Sequence, residues 1–84
     1  MAVIITAGAD GDIGTYTAIG PTEIIVSGPM DGCSVGVSVD GGAGQAPVYN
    51  FSGQGAVLLQ TAAGTIVTCE VSGGVAPAVN VAAA

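Results

Sequence analysis

Apolar and polar residues alternate along much of this chain, and clusters of Gly, Pro, Asp and Asn interrupt the alternation. The clearest segment runs from Cys33 to Val39, where Cys or Val holds every odd position and Ser or Gly every even position. A second segment places Val67, Cys69 and Val71 on one face. A period of two is typical of a strand that buries one face, so both segments predict half-buried β-strands.

Eight segments of this kind, separated by turn signals, can be traced from one end of the chain to the other. They are Ala2–Thr6, Thr15–Ile19, Thr22–Ser27, Cys33–Val39, Val48–Phe51, Ala56–Thr61, Thr65–Ser72 and Ala78–Ala82. Apolar residues do not recur at helical spacing over any long stretch. We therefore predict an all-β fold, a small antiparallel β-sandwich or barrel of seven to eight short strands.

The length of 84 residues predicts a single domain, residues 1–84, whose hydrophobic core is thin. Half of the residues are apolar, but most of these are Ala and Val, which remove little surface from water on burial. A small domain of this kind usually needs support from a staple or from neighbouring subunits. We therefore expect residues 1–8 and 76–84 to act as contact arms or edge strands.

Seven apolar side chains are the candidate interface residues. They are Val3, Ile4, Ile5, Tyr49, Phe51, Val79 and Val81. For the two aromatic residues the alternative is an ordinary place in the core, and the pattern does not separate the two interpretations.

The chain has no Lys, Arg or His, whereas six Asp and Glu residues give it a net charge of −6. Without cations it cannot neutralise phosphates, so we expect no nucleic-acid partner and no attraction to anionic membranes. A signal peptide needs a positive amino-terminal region, and no apolar run approaches the roughly 20 residues of a membrane span. We expect the chain to be made and used in the cytoplasm, or to leave the cell only within an assembly.

The sequence offers little to catalysis, and we expect neither an enzyme nor a cofactor. A nucleophilic Ser, Thr or Cys needs a neighbouring base, and no His or Lys exists to serve as one. Most of the carboxylates lie in Gly-rich turns, where Asp commonly binds backbone N–H groups. Asp10 and Asp12 form a D-x-D fragment that could bind Ca²⁺, but a plain turn is the favoured interpretation because the rest of a calcium loop is missing.

Cys33 and Cys69 both fall on the apolar faces of their predicted strands. They could form a disulfide across the core or between neighbouring strands, or remain buried thiols. Synthesis in a reducing compartment favours thiols, but periodicity alone leaves both interpretations open.

Four stretches of the sequence resemble small β-sandwich proteins of tailed-phage virions. They are IIVSGPMDGCSV at 24–35, VSVDGG at 37–42, GAVLL at 55–59 and IVTCEVSGG at 66–74. The shared pattern is a strand ending in Gly, an Asp-Gly turn, an alternating strand ending in Asp-Gly-Gly, two more hairpin strands and a closing Ser-Gly. The resemblance spans about residues 24 to 81 and lies in this pattern rather than in one specific motif.

The resemblance implies a non-catalytic structural protein of the virion, assembled in the host cytoplasm. The most specific expectation is a capsid decoration or cement protein, a homo-oligomer that docks on the major capsid protein or another virion protein. The alternatives are a component of the tail, neck or head fibre and, from a different class, a carbohydrate- or calcium-dependent adhesin-type binding module. Because folds do not fix functions, these remain expectations.

Overall fold

The alternating segments are strands in the computed structural model, which describes residues 11–28, 32–73 and 78–84 and the backbone of residues 2–5. These residues form eight strands and no helix. The strands are β1 Ala2–Ile5, β2 Ile13–Thr17, β3 Thr22–Ser27, β4 Ser34–Asp40, β5 Gln45–Phe51, β6 Gly55–Leu59, β7 Ile66–Ser72 and β8 Ala78–Ala83. The predicted all-β class is confirmed, and the boundaries differ by three residues or fewer.

The eight strands form two four-stranded antiparallel sheets that pack face to face as a sandwich. The first sheet has the order β1-β8-β3-β6 and the second has the order β2-β7-β4-β5. Every pairing is antiparallel. Consecutive strands change sheet at every connection except β4–β5, so the chain makes one hairpin within a sheet, where the resemblance implied hairpins further along as well.

Inward-facing side chains of both sheets form the core, and most of them are valines. The buried cluster consists of Ile24, Val26, Val35, Val37, Phe51, Val67, Cys69, Val71, Val79 and Val81. Phe51 is the largest of these side chains. Each burial contributes stability in proportion to the apolar area removed, at about 25 cal/mol per Å², so a valine core gives a modest total. The small size of most core side chains agrees with the prediction of a thin core.

Strand β8 lies inside the first sheet, which corrects the prediction of an edge strand at 76–84. It pairs with β1 on one side and with β3 on the other. Val79 and Val81 lie opposite Val26 and Ile24, and both valines are fully buried. Their alternation with Ala and Asn was the signal of a half-buried strand, and the buried half faces the second sheet. They are core residues and not interface residues.

The outer strands of the two sheets differ in how far they resist pairing with another chain. Within the described residues β1 and β6 border the first sheet, and β2 and β5 border the second. Strand β5 carries Pro47, which lacks an N–H group, and a register shift that leaves Val48 as an additional residue. Proline and bulges are two devices that protect sheet edges. Strand β6 has neither device and no charged residue.

Asp40 shapes the turn between β4 and β5. Its Oδ1 atom accepts hydrogen bonds from the backbone N–H groups of Gly42, at 2.7 Å, and Gly44, at 3.2 Å. Both glycines have positive φ, which non-glycine residues rarely adopt. The predicted role of this carboxylate as a turn-forming group is therefore confirmed.

Gly73 follows β7 in a crowded place and should tolerate no side chain. Its φ is +107°, and a Cβ atom there would lie 2.6 Å from Cα of Cys33. Gly64 also has positive φ, at +91°, but a Cβ atom there would meet nothing within 4 Å. The two positions therefore separate backbone strain from steric overlap.

We predict that Gly73→Ala lowers the free energy of unfolding by at least about 3 kcal/mol, because the backbone must move as well as bear strain. Gly64→Ala should lower it by only about 1–2 kcal/mol, the cost of the left-handed conformation alone. Urea unfolding of the two variants and the wild type measures this difference. Equal losses for both variants would contradict the close packing of Gly73 against the start of β4.

Candidate protein-binding surface

The two candidate aromatic anchors have different environments although they lie on one strand. In β5, Tyr49 pairs with Val37 and Phe51 with Val35, so both face the core side of the second sheet. Phe51 is 3% exposed, whereas Tyr49 is 45% exposed. The ring centroids are 4.7 Å apart in an edge-to-face arrangement. Phe51 is thus a core residue that supports Tyr49, and Tyr49 remains a candidate contact residue.

Strand β6, the neighbour of this pair, presents apolar side chains on its outer face. Leu58 is 52% exposed and Ala56 is also exposed, while Val57 and Leu59 pack partly against the core. Sequence analysis did not single out Leu58. The sequence feature that identifies it is its position in an alternating strand, on the face away from the partly buried Val57 and Leu59.

The borders β5 and β6 lie on the same side of the sandwich because a short loop, residues 52–54, joins them. Residues 49–56 line a shallow cavity of about 330 Å³ at this corner. Within the described chain, no strand pairs with the outer side of β6. We call this region, made of Tyr49 and strand β6, the β5–β6 edge surface.

The other candidate residues at the amino terminus belong to strand β1. This strand pairs with β8, and Val3 and Ile5 lie opposite Asn80 and Val79. Strand β1, Ala2–Ile5, is therefore an edge strand of the described sheet. The structure does not describe the side chains of Val3, Ile4 and Ile5, so their interface role stays a prediction.

The D-x-D fragment, for which a plain turn is favoured over a Ca²⁺ site, is described in part, since Asp10 lies outside the described residues. Asp12 is exposed, and its backbone carbonyl accepts a hydrogen bond from the N–H group of Val71 at 2.9 Å. This bond extends the ladder between β2 and β7. Among the described residues, no group of three or more Asp, Glu, Cys or His side chains lies close enough to hold a metal ion.

Cys33 and Cys69 are both buried, and the register keeps them apart. Cys69 lies opposite Val37, which is four residues along the chain from Cys33. Four residues of strand span about 13 Å, whereas disulfide-bonded Cα atoms lie within about 7 Å of each other. The two residues therefore do not bond to each other, and the buried-thiol interpretation applies. Burial raises the pKa of the Cys69 thiol from 9.0 to about 11 because desolvation disfavours the thiolate.

Comparison of the chain with protein-family models, with curated proteins and with solved structures finds no match. The part of the chain that the structure describes includes no helix with the length and hydrophobicity of a membrane span.

The pKa of Cys69 predicts a loss of stability at high pH. The folded pKa is raised above the unfolded one, so the stabilisation is complete below pH 9 and is lost as the pH rises toward 11. We expect the free energy of unfolding to fall by on the order of 2–3 kcal/mol across this range. In Cys69→Ala, which is less stable throughout, the fall should be smaller. Urea unfolding at several pH values measures both, and parallel curves would contradict the assignment.

Proposed function

We propose that this chain is a non-catalytic structural protein that works by docking onto other protein subunits. The observation that carries the proposal is the β5–β6 edge surface, a border strand without charge or proline beside exposed apolar side chains. The unpaired N–H and C=O groups of such a border can pair with another strand, and the apolar side chains add burial. The composition supports the non-catalytic part of this proposal, since the chain has no His or Lys side chain that could activate a nucleophile.

The specific role that we propose is decoration of a tailed-phage capsid, as the resemblance of residues 24 to 81 implies. A decoration protein binds a repeated surface in many copies and raises the barrier to rupture of the shell. A thin core suits this role because burial against neighbours adds stability that the isolated domain lacks. The absence of cations also suits an outer position, since nothing draws the chain to the genome.

Copies of the chain are proposed to associate through strand β6. Its five residues carry no charge, so pairing of two β6 strands places no carboxylates of these strands next to each other. Two β6 strands pairing antiparallel around a twofold axis would join two four-stranded sheets into one, a closed arrangement for a dimer. The carboxylates elsewhere remain available to basic groups of the shell protein.

Leu58→Lys tests the association through β6. Leu58 lies opposite Glu23 on β3, so the new lysine gains a carboxylate neighbour and the monomer should fold normally. Lysine on a border strand opposes pairing with another chain. We expect the wild type to sediment as a dimer or larger species and Leu58→Lys to sediment as a monomer at the same concentration.

Ile66→Lys is the matched control for this experiment. Ile66 is also an exposed apolar residue, 43% accessible, and it lies opposite a carboxylate, Asp40. It belongs to an inner strand of the second sheet, so this variant should sediment like the wild type. A wild type that stays monomeric at high concentration, or equal effects of both substitutions, would refute association through β6.

The virion role has a separate test. Phage particles purified from the source of this sequence should contain the chain in many copies, measured by mass spectrometry. Electron microscopy with a specific antibody should locate it on the outer surface of the head. Absence from the particles would overturn the virion role, and labelling of the tail or neck would replace decoration by a tail or neck component.

A further inference from the structure

The outer face of the second sheet contains a hollow that the docking role of β6 does not use. Its volume is about 270 Å³. It is lined by Ile13, Thr15, Gly36, Ser38, Gln45, Thr68 and Glu70. The lining combines hydroxyl, amide and carboxylate groups with one aliphatic side chain.

Cross-strand register explains why the hollow forms. Glu70 of β7 lies between Ile13 of β2 and Gly36 of β4. In the adjacent row, Thr68 lies between Thr15 and Ser38. The missing side chain of Gly36 and the small Ser38 leave the β4 side of both rows open, which makes a hollow beside the larger side chains of β7.

Thr68 is buried on the face where alternation predicts exposure. Only 9% of the residue is accessible, and its Oγ1 atom has no hydrogen-bond partner among the described residues. The buried Thr22 shows the usual situation, because its Oγ1 lies 3.1 Å from the carbonyl oxygen of Gly20 and 3.0 Å from Oγ1 of Thr61. A buried hydroxyl without a partner is costly, so Thr68 calls for an explanation beyond the fold.

Glu70, two residues along the same face, adds a negative charge to the hollow. It is exposed, and the chain contains no Lys, Arg or His that could pair with it. A side-chain cation for this carboxylate must come from another chain.

We propose that the hollow binds the guanidinium group of an arginine on a partner protein. Glu70 accepts a charge-assisted hydrogen bond, and Thr68 accepts a second one. Because Oγ1 of Thr68 is shielded, this second hydrogen bond requires a rotation about χ1 that turns the hydroxyl toward the hollow. Ile13, which is 60% exposed, packs against the aliphatic part of the arginine. The inference deepens the proposed docking role and rests on it for the class of partner.

Arginine fits the hollow better than other donors do. Its guanidinium has five N–H groups in a fixed plane, so it can serve the carboxylate, the hydroxyls and the amide of Gln45 together. A lysine ammonium is a compact charge with strong hydration and serves fewer of them. A sugar would match the hydroxyl groups, but it leaves Glu70 without a counter-ion.

The test uses the ¹⁵N-labelled full chain and three blocked tripeptides, acetyl-Gly-X-Gly-amide, in which X is arginine, lysine or citrulline. Citrulline has nearly the shape of arginine without its charge. We expect the arginine peptide to shift the amide signals of Gly36, Ser38, Thr68 and Glu70 saturably, with a Kd in the millimolar range. The lysine peptide should bind more weakly, and the citrulline peptide at least about tenfold more weakly.

Glu70→Gln and Glu23→Gln form a matched pair of charge variants. Glu23 also lies on an outer face, between Leu58 and Ala82 of the first sheet, and the chain has no basic side chain that could pair with it. We expect Glu70→Gln to weaken the arginine peptide by about fivefold, the upper range of a solvent-exposed ion pair. Glu23→Gln should leave the affinity unchanged.

Thr68→Val separates a binding role from a structural one. Valine keeps the shape but removes the hydroxyl without a partner, so we expect the Tm to rise by about 5 °C. The affinity for the arginine peptide should fall at the same time. A variant with lower Tm would show that the fold uses the hydroxyl, and this result would overturn the inference.

Gly36→Val closes the hollow from its open side. A Cβ atom at position 36 would contact only Oδ1 of Asn50, at 3.8 Å, so the strand accepts a side chain. We expect this variant to fold and to lose the saturable shifts.

Two outcomes of the titration would overturn the inference. One is equal, unsaturated shifts near Asp12, Glu23, Asp40 and Glu70, which indicate general ion pairing only. The other is saturable binding of a methyl glycoside in place of the arginine peptide, which favours a sugar-binding module. Association through β6 without binding in the hollow would refute the inference but not the proposed docking role. Binding of arginine in the hollow by a chain that is absent from virions would refute the decoration role but not the inference.

Discussion

The packing of valine-sized side chains between two sheets is the constraint on which the rest of this structure depends. Each inner position has a partner across the strand pair, such as Val26 with Val79 and Val35 with Val71. A shift of one residue in any register would turn these side chains to the solvent, so the core specifies the pairing. Because the core is thin, the loss expected from a local overlap such as that of Gly73→Ala is a large fraction of the total stability.

Sequence periodicity predicts the strands but does not predict their order within the sheets. The alternation of Cys33 to Val39 and of Thr65 to Ser72 is a local property, and those strands lie where it placed them. The order of strands depends on long-range pairing, which is why β8 was expected at an edge and lies inside. The first half of β5, which contains Pro47, was not predicted as strand. Proline is rare in strands except at the border of a sheet, and β5 is a border strand.

The candidate surfaces follow the same division between local and long-range information. Tyr49 and Phe51 lie two residues apart on the same face of β5, yet Phe51 is buried and Tyr49 is 45% exposed, a difference that alternation along the strand does not predict. Thr68 belongs to the face that alternation assigns to solvent. It lies between Thr15 and Ser38 of the neighbouring strands, and that arrangement cannot be predicted from the sequence of β7 alone.

A chain without cations has two ways to accommodate its carboxylates, and both are visible here. Asp40 is used inside the chain, where two backbone N–H groups take the place of a counter-ion. Glu70 and Glu23 instead lie on outer faces, where only another chain can supply a basic side chain. Strand β6 lies at the border of the first sheet, and the hollow lies on the outer face of the second. The two proposed sites therefore do not compete. One copy of the chain can pair with a neighbouring copy through β6 and bind the underlying shell protein through the hollow at the same time. Stability that the thin core does not provide would then come from assembly, since any partner that binds only the folded chain shifts the folding equilibrium toward it.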